Sequence, residues 1–167
     1  DRGTTDAYTF SQTIEGSFIR DFDFGNTGPA GNTMYIGLTF WIKANAIGWY
    51  EVKLRNADGT RSWIQIFYVY AQNTWERKAL TFTVDQSGTW YNDVRAGLKV
   101  EYSLGIGSSY RTASTSQWLT TGTHTGWNGP PNYIVNTLNA SIRLTGIQLE
   151  VLGLVGSISV TATRTLS

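Results

Sequence analysis

The chain contains no cysteine, one histidine, one methionine and three prolines. Without a thiol there can be no disulfide, no cysteine nucleophile and no thiolate zinc site. The single histidine, His124, has no second His or Cys nearby, so no metal or triad pattern forms around it. Charge is also scarce: charged residues make up 15% of the chain, and 13 basic against 12 acidic side chains leave a net charge of +1. Such a balance offers no electrostatic footprint for nucleic acid or an anionic membrane. No apolar run approaches the roughly 18 residues of a membrane span, and no signal-peptide pattern opens the chain. Neither nucleic-acid binding nor membrane insertion is expected. The chain starts at Asp1 rather than Met, and it is expected to be a portion of a longer protein.

What the sequence does have is aromatic and glycine residues. Aromatics make up 14%, with seven Trp and nine Tyr, and there are 18 Gly. With abundant Thr and Ser, this profile fits an all-β domain. It also fits sugar binding, because flat aromatic faces stack on pyranose rings. The 167 residues suit a single domain, 1–167, large enough to bury about 70% of its unfolded surface without covalent staples.

Period-two alternation dominates residues 33 to 84. Apolar residues recur at Ile36, Leu38, Phe40 and Ile42, then at Tyr50, Val52 and Leu54. They return at Ile64, Ile66, Tyr68 and Tyr70, and again at Leu80, Phe82 and Val84. Each run predicts a strand with one buried face. Asn56-Ala57-Asp58-Gly59-Thr60 separates the second run from the third, and Asp-Gly predicts a tight hairpin. On this phasing Phe40, Tyr68, Tyr70, Phe82 and Tyr102 are core, whereas Trp41, Trp49, Trp63 and Phe67 point outward.

Further strands are predicted at Ala7 to Ile14, Gly97 to Gly105, Tyr133 to Leu138 and Ser141 to Leu152. In the last, Gly146 shifts the phase, which predicts a β-bulge. Ser17 to Phe24 reads as a short edge strand and Gly25 to Asn32 as a loop. Asn73-Thr74 reads as a corner. Gly105 to Pro131 lacks periodicity and reads as a long loop of the functional kind, carrying Trp118, His124 and Trp127. Residues 153–167 read as an extra C-terminal strand or tail that docks on a neighbouring subunit. Nine or ten strands without a helix predict an antiparallel two-sheet β-sandwich of jelly-roll type.

Six phrases then bear on family. They are FSQTIEGSFI at 10–19, LTFWIKA at 38–44, KLRNADGTRSW at 53–63, NTWERKALTFTVDQSGTW at 73–90, GLKVEYSLGIGSSY at 97–110 and TGIQLEV at 145–151. In this order and spacing they resemble a domain common in tail fibres and other receptor-facing virion proteins of tailed bacteriophages. The resemblance covers about residues 8–152. It implies a carbohydrate-binding-module-type jelly roll in a virion, without enzymatic activity, that takes part in host attachment. Bacterial surface polysaccharide and other virion proteins are the implied partners, in a homotrimer. A structural role, as capsid decoration or fibre connector, is the alternative. Related chains usually end in a Gly-containing tail and a Pro-Phe-Glu-like segment, and residues 152–167 depart from that pattern.

The ligand-binding candidates come from the outward phases. Trp49, Glu51, Lys53 and Arg55 share one strand face, and Trp63 and Gln65 are expected to join them across the hairpin, giving a stacking surface ringed by hydrogen-bonding groups. Trp118 and Trp127 in the long loop are the second set. The competing reading is that this face packs on a subunit or lies under the Gly105–Pro131 loop, with the loop tryptophans as anchors. Glu51 and Glu101 are the carboxylates to test as an acid/base pair, but isolated strand glutamates are ordinarily solvated or ion-paired. Asp21, Asp23 and Asn26 could supply oxygens to a structural Ca²⁺, against a plain polar edge strand. Gly105-Ile106-Gly107-Ser108-Ser109 lacks the lysine and helix of a phosphate loop and reads as a turn.

Overall fold

The computed structural model describes residues 3–25, 34–120, 126–129, 134–136 and 138–154. Ten strands run β1 (Ala7–Glu15), β2 (Met34–Ala44), β3 (Gly48–Asn56), β4 (Arg61–Val69), β5 (Glu76–Thr83), β6 (Ala96–Ile106), β7 (Arg111–Thr112), β8 (Trp118–Thr120), β9 (Gly126–Trp127) and β10 (Ile142–Leu154). Sheet A has the order β1-β6-β3-β4-β8 and sheet B the order β10-β2-β5. Every pairing in these two sheets is antiparallel, and a short parallel pair, β7-β9, stands apart. The two sheets pack face to face, so the all-β sandwich expected from the sequence is what the chain forms.

Alternation builds the core. Ile36, Leu38, Phe40 and Ile42 of β2 are sealed from solvent and meet Tyr50, Val52 and Leu54 of β3 and Leu98, Val100 and Tyr102 of β6. Each such side chain contributes about 1.5–3 kcal/mol on burial. Aromatic contacts lock the two layers: Phe40 lies edge-on to Phe67 and to Tyr102, each at 5.2 Å between ring centres.

In β4 the phase is the reverse of the expected one. Register sets Tyr50 opposite Phe67, Val52 opposite Gln65 and Leu54 opposite Trp63. Trp63, Gln65, Phe67 and Val69 therefore face the core, while Ile64, Ile66 and Tyr68 lie on the outer face. Tyr70, expected in the core, is 73% exposed, and Tyr68 is half-buried. The turn explains the parity. Only Gly59 has positive φ (71°), and the Gly59 amide donates to the Asn56 carbonyl, leaving four residues between the strands. Buried Asn56 braces this turn: its side chain bonds the Arg61 amide, the Thr60 hydroxyl and the Thr89 carbonyl.

Two other expectations change. Residues 16–22 form a 3₁₀-helix, η1 (Gly16–Phe22), rather than an edge strand. Its buried residues are Gly16, Ile19 and Phe22, spaced at the three-residue period of that helix. Gly16 is required by close approach, since a Cβ there would sit 2.1 Å from the Tyr91 carbonyl oxygen. Within Tyr133 to Leu138, Ile134–Asn136 is a single 3₁₀ turn, η3, not a strand. The bulge at Gly146 is present: φ is 58° and the β10-β2 register shifts between Thr145 and Gln148. Asn73, at φ 56°, makes the expected corner before β5. The tail beyond Leu154, His124, Asn26 and Pro130-Pro131 lie outside the described residues.

Candidate functional site

The outer face of sheet A carries Trp49, Glu51, Lys53 and Arg55 from β3, Ser62, Ile64, Ile66 and Tyr68 from β4, and Lys99, Glu101 and Ser103 from β6. Such a charged face would ordinarily meet water. Here Glu51, Lys53 and Glu101 are only 4–5% exposed. Part of the chain after β6 lies over Glu51. It turns through a 3₁₀ element, η2 (Ser108–Tyr110), and the β7-β9 pair, then lays β9 against β3 and β4. The Trp127 amide donates to Glu51 Oε2 at 2.7 Å. Gly126 fits because it has no side chain: a Cβ would lie 2.7 Å from Ile106 Cγ1 and 2.9 Å from Glu51 Oε1. Gly126 and Trp127, from the segment expected to be a loop, thus lie over the Glu51 part of this face, while Trp49 stays exposed.

On this buried face the charges pair. Glu101 accepts from Lys53 Nζ at 2.8 Å and from Arg55 Nη2 at 2.7 Å. Burial alone would raise its pKa, but Lys53 and Arg55 outweigh burial and hold it below the usual range. For Glu51 burial wins and raises the carboxyl, against the opposing pull of the Ser103 hydroxyl, the Trp127 amide, Lys53 and Arg111. The opposite shifts resemble those of a general acid beside an ionised partner. Both carboxylates are nearly sealed from solvent, Glu51 at 4% and Glu101 at 5% exposed, and the Trp127 amide lies on Glu51.

The seven ligand-binding candidates fall into three places. Trp63, Gln65 and Trp118 belong to the core side, correcting the expectation that Trp63 and Gln65 join the Trp49 face. Trp63 is 7% exposed and bonds Gln65 through its indole N–H at 3.1 Å. Trp118 donates its indole N–H to the Thr83 carbonyl at 2.7 Å and packs edge-on against Trp63, Trp90 and Phe24. It anchors the segment to the sandwich. Glu51 and Arg55 lie in the buried ionic layer.

Trp49 and Trp127, drawn from different parts of the chain, meet at the rim of this layer with ring centres 5.9 Å apart. Trp49 also lies edge-on to Tyr68 at 5.2 Å, and Tyr68 contacts Tyr70 at 4.9 Å. Trp49 is 38% exposed, so Trp127, Trp49, Tyr68 and Tyr70 form an aromatic ledge open to solvent. Lys78 Nζ lies 5.1 Å from the Tyr70 ring centre and pairs with Glu76 at 2.6 Å. Glu76 in turn accepts the amides of Tyr70 and Ala71, which fixes the ledge's exposed end. Sequence reasoning misses Tyr68, Tyr70 and Lys78 as site residues. The first two continue the Ile64-Ile66 phase and so read as core.

Two remaining features carry less. A cleft of about 170 Å³ between η1 and the Trp90–Asn92 segment is smaller than the roughly 300–1,000 Å³ of small-molecule pockets. Asp21 lies on η1 and Asp23 caps it in the left-handed conformation at φ 61°. Among the described residues no cluster of three or more His, Asp or Glu forms. Comparison with protein-family models, with curated proteins and with solved structures found no match.

Proposed function

We propose that this domain is a non-enzymatic module of a phage virion fibre or spike that binds bacterial surface glycan during host attachment. The observation that carries the reading is the solvent-open ledge of Trp49, Tyr68, Tyr70 and Trp127, with Lys78 and Glu76 beside it. Exposed aromatic rings, set edge-on or tilted to one another, with hydrogen-bonding groups at their margin suit a pyranose ring. The six ordered phrases support the virion setting. The return of β6 between β1 and β3, and of β10 beside β2, supports a jelly-roll connection. Virion fibres are usually threefold, and in a homotrimer weak sites gain avidity.

Calorimetric titration with surface polysaccharides from a bacterial panel tests the reading. At least one should bind saturably, and Trp49→Ala with Tyr70→Ala should remove that binding while the melting curve stays put. Binding that survives both substitutions would sink the ledge as the site.

The structural alternative, a decoration or connector module, draws support from β1. It is an edge strand of sheet A and exposes Tyr8 (45%) and Phe10 (53%). A folded domain that binds no glycan, but loses self-assembly on Phe10→Ser, would favour it.

A further inference from the structure

We infer that the outer face of sheet B is a second glycan site, separate from the ledge and selective for carboxylated polysaccharide. Trp41 stands on the central strand β2 and is 43% exposed. Register places Arg77 of β5 on one side of it and Thr145 of β10 on the other. Two residues along β2, Lys43 sits opposite Arg143. Neighbouring strands are about 4.8 Å apart and alternate residues about 7 Å apart along a strand, so Arg77 stands about 5 Å from Trp41 and Lys43 and Arg143 about 7–8 Å, backbone to backbone, a span of one to two sugar rings. Trp75, directly before β5 and 41% exposed, continues the Ala79-Arg77 alternation one step further.

The cations are uncommitted. Lys53, Arg55, Arg61, Lys78 and Arg95 each hold a carboxylate. Among the described residues Lys43, Arg77 and Arg143 hold none, and Arg77 and Arg143 are exposed. Among the described residues the other charge on this face is Glu150, opposite Gly37 near the far end. Charge complementarity therefore selects an anionic occupant. The flat tryptophan face between the cations adds a stacking surface that suits a sugar ring. Nucleic acid is disfavoured, because the whole chain carries only +1. The bulge tunes the site: Gly146, at φ 58°, lies under Trp41, and a Cβ there would be 3.3 Å from Trp41 Cδ1.

The inference shares the carbohydrate class with the proposed function but not its residues, so the two can fail separately. Calorimetry would use polygalacturonate, alginate and colominic acid, with fully methyl-esterified polygalacturonate as the uncharged match. At least one acidic polymer should bind, and the ester should bind at least about tenfold more weakly. Raising NaCl from 50 to 300 mM should weaken binding several-fold, because exposed charges are screened over a Debye length of about 10 Å or less. Trp41→Ala and the Arg77→Gln/Arg143→Gln pair should each cost about tenfold or more, since charge and stacking act together. The Trp49→Ala/Tyr70→Ala variant should bind the acidic polymer as wild type does. No binding to any of the three, or binding indifferent to both sheet B variants, overturns the inference while leaving ledge binding to neutral glycan intact. Equal binding of polyglutamate or single-stranded DNA would reduce the face to a generic anion patch and overturn it as well. Loss of ledge binding alone would remove the earlier reading and not this one.

Discussion

The outer faces of the two sheets are written in the same residue types and end in opposite states. Sheet A presents Trp49, Glu51, Lys53 and Arg55 along β3, and sheet B presents Trp41 and Lys43 along β2 with Arg77 and Arg143 beside them. On sheet A the segment after β6 folds back onto Glu51, and Lys53 and Arg55, themselves buried, converge on Glu101. On sheet B Trp41, Arg77 and Arg143 stay in water. The strands themselves are alike; burial makes the difference. A buried charge must find a partner, because leaving it alone in a low-dielectric layer costs several kcal/mol. An exposed charge has no such obligation and remains free for a ligand.

Substitutions can sharpen that contrast. Glu101→Ala should have the largest effect, because it removes the buried carboxylate that Lys53 and Arg55 share; breaking such a buried pair costs about 3–5 kcal/mol. Arg143→Ala on the open face should stay within about 0.5 kcal/mol. Urea unfolding measures both, and equal costs would break the comparison. Trp63→Ala comes next, at about 3 kcal/mol or more from lost core contacts, against a near-neutral Trp41→Ala. A small cost at Trp63 would mean the β4 register is wrong. Gly126→Ala should cost about 1–3 kcal/mol by overpacking β9 against Ile106 and Glu51. Hydrogen exchange should then rise at the Trp127 amide before it rises in β3.

The smallest effect concerns pH. Burial raises Glu51 above its ordinary value near 4.5, so folding favours its protonated form. Its contribution is complete below pH 4.5 and is lost as pH rises through the folded-state titration. Glu51→Gln cannot ionise and should gain stability relative to wild type as pH rises from about 4 to about 8, the gap levelling off once Glu51 is fully ionised. A gap that is flat with pH would mean that the cover over Glu51 admits water freely.

How far the sequence can be read depends on whether burial is one-sided. In β2 the apolar set Ile36, Leu38, Phe40 and Ile42 faces polar or small alternates such as Gly37 and Thr39, and its phase is unambiguous. In β4 both sets are apolar, Trp63, Phe67 and Val69 against Ile64, Ile66 and Tyr68, because the cover buries part of the outer face too. Periodicity loses its meaning there. The turn still holds the answer: any hairpin centred on Asp58-Gly59 pairs even-numbered β3 residues with odd-numbered β4 residues, which puts Trp63 beside Leu54. The period-three burial of Gly16, Ile19 and Phe22 is likewise present but obscured by Phe18 and Phe24. The ledge is half legible. Trp49 and Trp127 both stand out in the sequence, but their meeting depends on a fold-back that no local pattern encodes.

The grouping of the tryptophans also gives the domain two optical signatures. Indole transitions couple when rings lie within several ångströms and are not parallel, which splits the circular dichroism band into a couplet. Trp49 with Trp127 is one such pair, 5.9 Å apart at 68°. Trp118 with Trp63 and with Trp90, at 5.8 and 5.3 Å, forms another at the opposite side of β4. The first couplet depends on the covering segment lying in place, and the second on the sandwich core. A mild denaturant that lifts the cover while the core persists would erase one signal before the other, so the closing of the cover can be followed without a label.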